Sequence, residues 1–361
     1  MNSSTLIIAE AGVNHNGDPA LALQLTDAAA DAKADVVKFQ TFRSEALAST
    51  AAPKADYQLR TTGAQESQLD MLRKLELSHD AHRTVKERCR ERQIRFLSTP
   101  FDMGSLHFLT RDLGVDGLKI ASSDLVTAPL LLAAARANLP VILSTGMARM
   151  EEIETALGIM AFGYTAAETA QPGREAFKRA YAATAGQAAL KAHITLLHCT
   201  SEYPSTAEDA NLRAMETMHK AFGLPVGLSD HTPGTTVAIA AVALGACVIE
   251  KHLTLDKSLP GPDHGASLDP MEFAELVKAI RMVETALGDG DKRPRPSEMK
   301  NKSVARKSLV AMSPIAKGEI LTSTNLGTLR PGSGISALNY FDWLGRPATR
   351  NYAIGDVIHE D

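Results

Sequence analysis

Cysteine is scarce in this chain of 361 residues: Cys89, Cys199 and Cys247 stand far apart, and none belongs to a CxxC pair. That pattern argues against a disulfide framework and against a thiolate zinc site. Long apolar runs are missing too, and no segment approaches the roughly 20 residues that a membrane-spanning helix needs. Positive charge is not in excess. Lys and Arg number 38 against 42 Asp and Glu, a formal net charge of −4, so neither nucleic acid nor an anionic membrane is an expected partner. Met1 to Ala11 carry no basic region and no cleavage site and run straight into a strand-like segment, so a cytoplasmic location is expected. GxSxG, Walker A and GxGxxG signatures are absent. The PGSG at 331–334 does not follow a strand and open a helix, as a phosphate loop should. Cys199 neighbours His198 on a predicted strand, where adjacent side chains face opposite ways. A Cys–His dyad is therefore disfavoured there, and Cys199 reads as core.

What the chain does have is hydrophobic residue, 44% of the total, enough to bury a large core plus a small second one. Short apolar runs recur at Leu6–Ala11, Val36–Gln40, Ile94–Thr99, Gly117–Ser122, Val141–Thr145, Ile194–Thr200, Val226–His231 and Cys247–His252. Continuous apolar runs are the mark of strands buried on both faces of a parallel sheet. Helical patterns lie between them. One opens at Asp18-Pro19, another runs from Asp102 to Leu113 before Gly114, and the clearest runs from Asp269-Pro270 to Leu287 before Gly288. About eight strand–helix units fit a TIM (β/α)8 barrel, which takes roughly 250 residues. A doubly wound open sheet is the alternative. Phe42 to Gln68 is a long excursion after the second strand, and Gly158 to Ala192 reads as an Ala-rich peripheral insertion. The polar stretch 288–303 reads as an unpatterned linker between a catalytic domain, 1–287, and a small β-rich domain, 304–361.

Catalytic groups of a TIM barrel sit at the C-terminal ends of its strands. Here those ends carry Glu10, Lys38 and Gln40, Ser98 and Thr99, Lys119 and Ser122, Ser144 and Thr145, His198, Ser229 to His231, and Glu250 to His252. Polar groups repeated at nearly every strand end each need a partner inside a packed fold. Lys38 and Lys119 with the hydroxyls of Thr99, Ser122, Ser144 and Ser229 suit a doubly charged anion such as a phosphate or phosphocarboxylate. The alternative is that the lysines pair with Glu10 or Glu250. His231 and His252 end neighbouring strands, where two imidazoles suit Mn, Fe or Zn better than Mg or Ca.

The segments IIAEAGVNHNGD, VKFQTF, FLSTPFD, KIASSDL, ILSTGM, LHCTSEYP, GLSDHT and IEKHLTLDKSLPGPDH resemble the sialic acid synthase family of bacterial nonulosonic acid synthases. ARKSLVA, KGEIL and RPGSGIS resemble that family's C-terminal antifreeze-like (SAF) domain. The resemblance spans essentially the whole chain. It implies condensation of phosphoenolpyruvate (PEP) with an open-chain N-acetylated mannose-type sugar, releasing phosphate. N-acetylmannosamine giving N-acetylneuraminate is the first reading. A 2,4-diacetamido-2,4,6-trideoxymannose giving the legionaminic product is the alternative, with a pseudaminic product third. The resemblance implies metal ligands at His231 and His252 and PEP contacts at Lys38, Thr99, Lys119, Ser122, Ser144 and Ser229. It implies sugar-side residues at Glu10, Gln40, Phe101, Asp124, Tyr203 and Asp263. It also implies a divalent metal, Mn2+ with Mg2+ or Co2+ as alternatives, and a homodimer in which the partner's SAF domain donates Arg330. Glu10, Lys119 and Asp263 are the expected catalytic residues. Two positions depart from the family pattern: Ser122-Ser123-Asp124 replaces Ser-Gly-Glu, and Ser201-Glu202 stands where some members have Asn. A Schiff-base aldolase acting through Lys119 or Lys38, and a non-catalytic sugar-binding barrel, are the rival readings.

Overall fold

Strand alternation organises the molecule. The computed structural model describes residues 4–49, 51–63 and 65–360. Met1–Ser3, Thr50, Ala64 and Asp361 lie outside the described residues, two of them within the excursion at 42–68. The chain forms two compact units, Met1–Gly288 and Asp289–Asp361. In the first, eight parallel strands alternate with helices. They are β1 (Leu6–Gly12), β2 (Val36–Thr41), β3 (Arg95–Pro100), β4 (Leu118–Ile120), β5 (Val141–Ser144), β6 (Ile194–Cys199), β7 (Val226–Asp230) and β8 (Val248–His252). Their order is β3-β2-β1-β8-β7-β6-β5-β4, and the end strands β3 and β4 pack against each other to close a TIM-type barrel.

The helices are α1 (Pro19–Asp31), α2 (Ser44–Leu47), α3 (Asp56–Thr62), α4 (Gln68–Leu75), α5 (His79–Arg92), α6 (Met103–His107), α7 (Ala128–Arg136) and α8 (Met150–Thr165). Then come α9 (Arg174–Ala182), α10 (Thr184–His193), α11 (Arg213–Phe222), α12 (Thr236–Ala243) and α13 (Pro270–Leu287). Local chemistry sets their starts. Asp269 accepts from the amides of Met271 and Glu272, Glu272 returns a bond to the Asp269 amide, and Pro270 begins the helix. The predicted helix over Asp102–Leu113 is only half α-helical: beyond α6, Phe108–Leu113 widens into a π-helical turn. The insertion expected from Gly158 starts inside α8, whose residues Ala156–Gly163 are buried. Beyond α8, α9 buries none of its side chains, but Leu190 of α10 joins the main core, so the insertion is only partly peripheral.

Within the barrel, one face of each strand meets the helices and the other meets the interior. Ile8, Val36, Leu97, Leu197 and Val248 form a dry interior layer near the N-terminal ends. Two residues further along, with the same facing, stand Glu10, Lys38, Thr99, Cys199 and Glu250. The sheet's period of two thus stacks a polar layer directly on an apolar one.

The second unit begins with α14 (Pro296–Ala305). Half of the stretch read as an unpatterned linker is therefore helical. Pro296 at its first position and the Glu298 side chain bonded to the Arg295 amide start it, although none of its side chains is buried. Beyond it, β9 (Ser308–Ala311) pairs antiparallel with β10 (Leu326–Leu329) around Leu309, Ile315, Leu321, Tyr352 and Ile358. The short helix α15 (Tyr340–Trp343) packs on this core. No described helix is long and apolar enough to cross a membrane.

Candidate active site

The polar layer is an ion cluster. Lys38 Nζ lies 2.6 Å from Glu10 Oε2 and 2.8 Å from Glu250 Oε2. Lys119 Nζ lies 3.6 Å from Glu250 Oε1. All four side chains are buried. Both lysines therefore do pair internally, the alternative that the strand ends left open. The pairing leaves acceptor capacity unused: both Glu10 oxygens and Glu250 Oε2 lack an aligned hydrogen-bond donor. Burial lowers the Lys38 pKa to about 7, with Glu250 opposing the shift and Lys119 adding to it. Burial pushes Glu250 upward, but Lys119 and Lys38 outweigh it and hold this carboxylate well below the usual range.

Strand ends aim these groups. β1 carries an irregularity between Glu10 and Gly12, where Gly12 adopts φ +53°. A Cβ on Gly12 would come within 2.9 Å of Glu10 Oε1, so glycine leaves that carboxylate its place. After β5, the Gly146 amide donates to Ser122 Oγ at 2.9 Å. A Cβ on Gly146 would meet Ser201 Oγ at 2.4 Å and Ser122 Oγ at 2.8 Å. Ser229 donates to Glu250 Oε1 at 2.8 Å. Thr99 and Ser144 are buried at the ends of their strands. Cys199 does not point into the helix-facing core: its Sγ sits 3.1 Å from Ser122 Oγ, on the interior side. His198 faces the other way, with Nε2 against the Ala210 carbonyl.

His231 and His252 stand above this layer, His252 one pleat beyond Glu250. Their ring centroids are 5.7 Å apart. His231 Nδ1 contacts the Thr200 carbonyl at 2.6 Å. A proton on Nδ1 there leaves Nε2 as the lone-pair nitrogen, the arrangement that metal-binding imidazoles use. Burial lowers both imidazole pKa values, His252 well below the ordinary range, with His231 and Lys38 adding to the fall at His252. His252 Nδ1 is buried without a protein partner. Neutral imidazoles, His252 with its unpartnered Nδ1 and His231 with Nε2 3.3 Å from Ser229 Oγ, fit a divalent cation. Among the described residues no third His, Cys, Asp or Glu joins them as a ligand group, so water and substrate oxygens would complete the shell.

Of the residues expected on the sugar side, Tyr203 is the one that packs against both imidazoles. Tyr203 packs on His231 at 4.2 Å and edge-on to His252 at 5.7 Å. Phe101 packs edge-on to Phe42 at 6.3 Å, and Gln40 lies half-buried at the end of β2. Asp263 is buried in the loop after β8, and burial raises its pKa to about 6. That loop is tied to the one after β1: Asn14 Nδ2 donates to the Leu253 carbonyl and to Ser267 Oγ, both at 2.9 Å. Ser267 Oγ in turn donates to the Asp263 carbonyl at 2.7 Å. Asp124 is buried too, accepting from Thr127 Oγ1 at 3.0 Å. Arg330 belongs to the second unit, where it is exposed and its Nε donates to the Ala305 carbonyl at 3.0 Å.

Two features escape a reading of the sequence. Tyr57, in the excursion, stacks on Tyr203 at 4.9 Å, and nothing local to its sequence marks that contact. Lys251 faces outward, where its Nζ lies 2.7 Å from Asp230 Oδ2 and donates to the Thr232 carbonyl.

Comparison with known proteins identifies the family. Residues 25–292 match the NeuB family and residues 306–361 the SAF domain. The chain is 48% identical over 356 residues, 99% of each chain, to the N,N'-diacetyllegionaminic acid synthase of Campylobacter jejuni. It is 42% identical to the protein of the same name from Legionella pneumophila, over 98% of this chain and 92% of that one. The crystal structure of N-acetylneuraminic acid (sialic acid) synthetase from Leptospira borgpetersenii superposes with a TM-score of 0.66 at 37% identity, covering 83% of this chain and 90% of that one. The chain belongs to the NeuB family, enzymes that condense phosphoenolpyruvate with a sugar, and it carries a SAF domain at its C-terminal end.

Proposed function

We propose that this enzyme joins PEP to open-chain 2,4-diacetamido-2,4,6-trideoxymannose, giving N,N'-diacetyllegionaminate and phosphate. One observation supports the reaction: the Lys38–Lys119 cluster lies one pleat below the His231/His252 pair, so two lysines and two imidazoles share one barrel mouth. The choice of sugar is supported by the legionaminic acid synthases, at 48% and 42% identity, against 37% for the N-acetylneuraminic acid synthetase. It replaces N-acetylmannosamine, the first reading of the sequence.

Lys38 and Lys119 pair with the carboxylate and phosphate of PEP, and Thr99, Ser122, Ser144 and Ser229 supply hydroxyl donors. Glu10 and Glu250 keep the lysines oriented before PEP arrives. A divalent cation on His231 and His252, Mn2+ with Mg2+ or Co2+ as alternatives, would polarise the sugar's aldehyde oxygen as a Lewis acid. C3 of PEP forms the new bond to the aldehyde carbon as the carbonyl π pair moves to its oxygen. That oxygen becomes the hydroxyl by taking up the proton that the added water gives up, and C2 is left electron-poor beside the bound anions. Water oriented by Glu10 adds at C2 and loses a proton. The resulting tetrahedral centre collapses to the ketone and expels phosphate with its bridging oxygen. Asp263, raised to about 6, is suited to move a proton on the sugar, including in ring opening.

The test is phosphate release from PEP with three sugars in parallel: the diacetamido-trideoxymannose, N-acetylmannosamine and the diacetamido-trideoxyaltrose that leads to pseudaminate. The first should give the highest kcat/KM. A higher value for N-acetylmannosamine would return the enzyme to the neuraminate reading.

A further inference from the structure

Helix α3 is an unusual piece of a TIM barrel. It sits in the excursion that β2 makes before the chain reaches α4, and it buries none of its own side chains. Such a helix gains little from a core, so its few contacts fix where it lies. Two of them come from one face, at positions three apart, and reach consecutive residues of the loop after β6. Tyr57 packs its ring on Tyr203 at 4.9 Å. Arg60 Nη2 donates to Glu202 Oε1 at 2.7 Å. Tyr203 continues to His231 at 4.2 Å, so a column of three rings steps outward from the imidazole site to the excursion. The far end of α3 is tied down separately: buried Lys54 donates to Thr62 Oγ1 at 2.9 Å and to the Gly63 carbonyl at 3.0 Å. The helix is thus held at both ends with its aromatic side toward the mouth.

The chemistry of this wall selects among sugars. With the aldehyde end directed at the imidazoles, Tyr203 flanks the first carbons of the chain. Tyr57, one ring further out, would face the carbons beyond. N-acetylmannosamine carries hydroxyls there. The diacetamido-trideoxy sugar carries an acetamido methyl at C4 and a bare methyl at C6. Ring faces favour methyl groups and give hydroxyls nothing to bond.

We propose that α3 is the specificity element of the enzyme: Tyr57 packs on the C4 acetamido and C6 methyl end of the sugar, and the Arg60–Glu202 ion pair latches α3 against the β6 loop. This rests on the legionaminate reading given above. Tyr57, Arg60 and Glu202 act on which sugar is accepted and leave PEP binding alone.

The test measures kcat/KM for the diacetamido-trideoxymannose and for N-acetylmannosamine, together with KM for PEP, in wild type, Tyr57→Ala, Arg60→Glu, Glu202→Arg and the Arg60→Glu/Glu202→Arg double variant. Tyr57→Ala should lower the preference for the diacetamido sugar by about tenfold or more, mainly through its KM. KM for PEP should stay within about twofold. Each charge reversal should also erode the preference, and the double variant, which restores an ion pair in the opposite sense, should regain it. Thermal melts of the charge-reversal variants should match wild type, because Arg60 and Glu202 are largely exposed. If wild type prefers the diacetamido sugar but Tyr57→Ala slows both sugars by the same factor, or raises KM for PEP equally, the inference is wrong and the legionaminate reading stands. Failure of the double variant to regain the preference lost in both singles would reject the latch. A wild-type preference for N-acetylmannosamine, or turnover of neither sugar, would overturn the legionaminate reading and the methyl-facing wall with it.

Discussion

On the proposed reading, Lys38 is the residue on which PEP recognition should turn. Its ammonium sits between Glu10 and Glu250 in a buried site, and burial brings its pKa to about 7 although Glu250 works to hold the proton. PEP brings negative charge and favours the ammonium form, so binding takes up a proton wherever Lys38 is neutral in the free enzyme. PEP capture is thus strongest below about pH 7 and weakens as pH rises through that value. kcat/KM for PEP should therefore fall by nearly tenfold per pH unit on the alkaline side, while kcat at saturating PEP holds to higher pH, because the bound anion raises the lysine's pKa. A kcat/KM profile that stays flat to about pH 9 would show that Lys38 is already fully protonated or plays no part. His231 and His252 carry a separate prediction. Chelation should abolish turnover and Mn2+ should restore it. His231→Ala or His252→Ala should lower kcat by about two orders of magnitude or more, and each should lose the bound-Mn2+ signal in electron paramagnetic resonance titrations. Full activity in metal-free protein would reject this role for the imidazole pair.

Among elements, β7 and β8 show how the outside of the barrel supports its inside. His252 and Glu250 face the interior, so Lys251 between them must face out. There it meets Asp230 in a pair whose side chains are each 1% exposed. Asp230 Oδ1 also accepts from the Thr232 amide and hydroxyl, at 2.9 and 2.7 Å. Both neighbours of His231 in the chain are thereby fixed. Lys251→Met should leave a buried carboxylate unpaired and cost about 3–5 kcal/mol in denaturant unfolding, and Lys251→Met/Asp230→Leu should recover part of that loss. A loss below about 1 kcal/mol in the single variant would show that the pair is not a brace. The same strands show what a sequence makes legible. The eight barrel strands could be read from runs of apolar residues, and their polar ends from the period of two. Partners could not. Whether Lys38 meets Glu10, Glu250 or an anion depends on side chains from β1, β2 and β8, which are distant in sequence and meet only when the barrel closes. The excursion at 42–68 hid Tyr57 for a related reason: α3 has no buried stripe, so no periodicity announces it. In the stretch 288–303, α14 was missed because a helix without a buried face shows only its start signals, Pro296 and Glu298.

For the whole molecule, we propose that the second unit serves the catalytic one. The SAF domain is a small core around Leu309, Ile315, Leu321 and Ile358, and a core of that size favours leaning on a larger surface. Arg330 is exposed on it, with Nε spent on the Ala305 carbonyl and the rest of the guanidinium fork free of any ion pair among the described residues. A fork of this kind is suited to a sugar's N-acyl oxygen. The proposal is that a homodimer forms in which each SAF domain carries Arg330 to the partner's barrel. Two inactive variants decide it. Arg330→Ala keeps a whole barrel and loses the donated arginine; His231→Ala keeps the arginine and loses a whole barrel. If Arg330 acts across the dimer, each mixed dimer contains one site with an intact barrel and an intact partner arginine. Random exchange makes about half the dimers mixed and half of their sites whole, so activity should return to about a quarter of the wild-type value. If Arg330 serves its own barrel, no combination of the two chains makes a whole site. Background activity after exchange has been verified by mass-tagged subunits would place Arg330 in its own subunit's chemistry or outside the chemistry altogether.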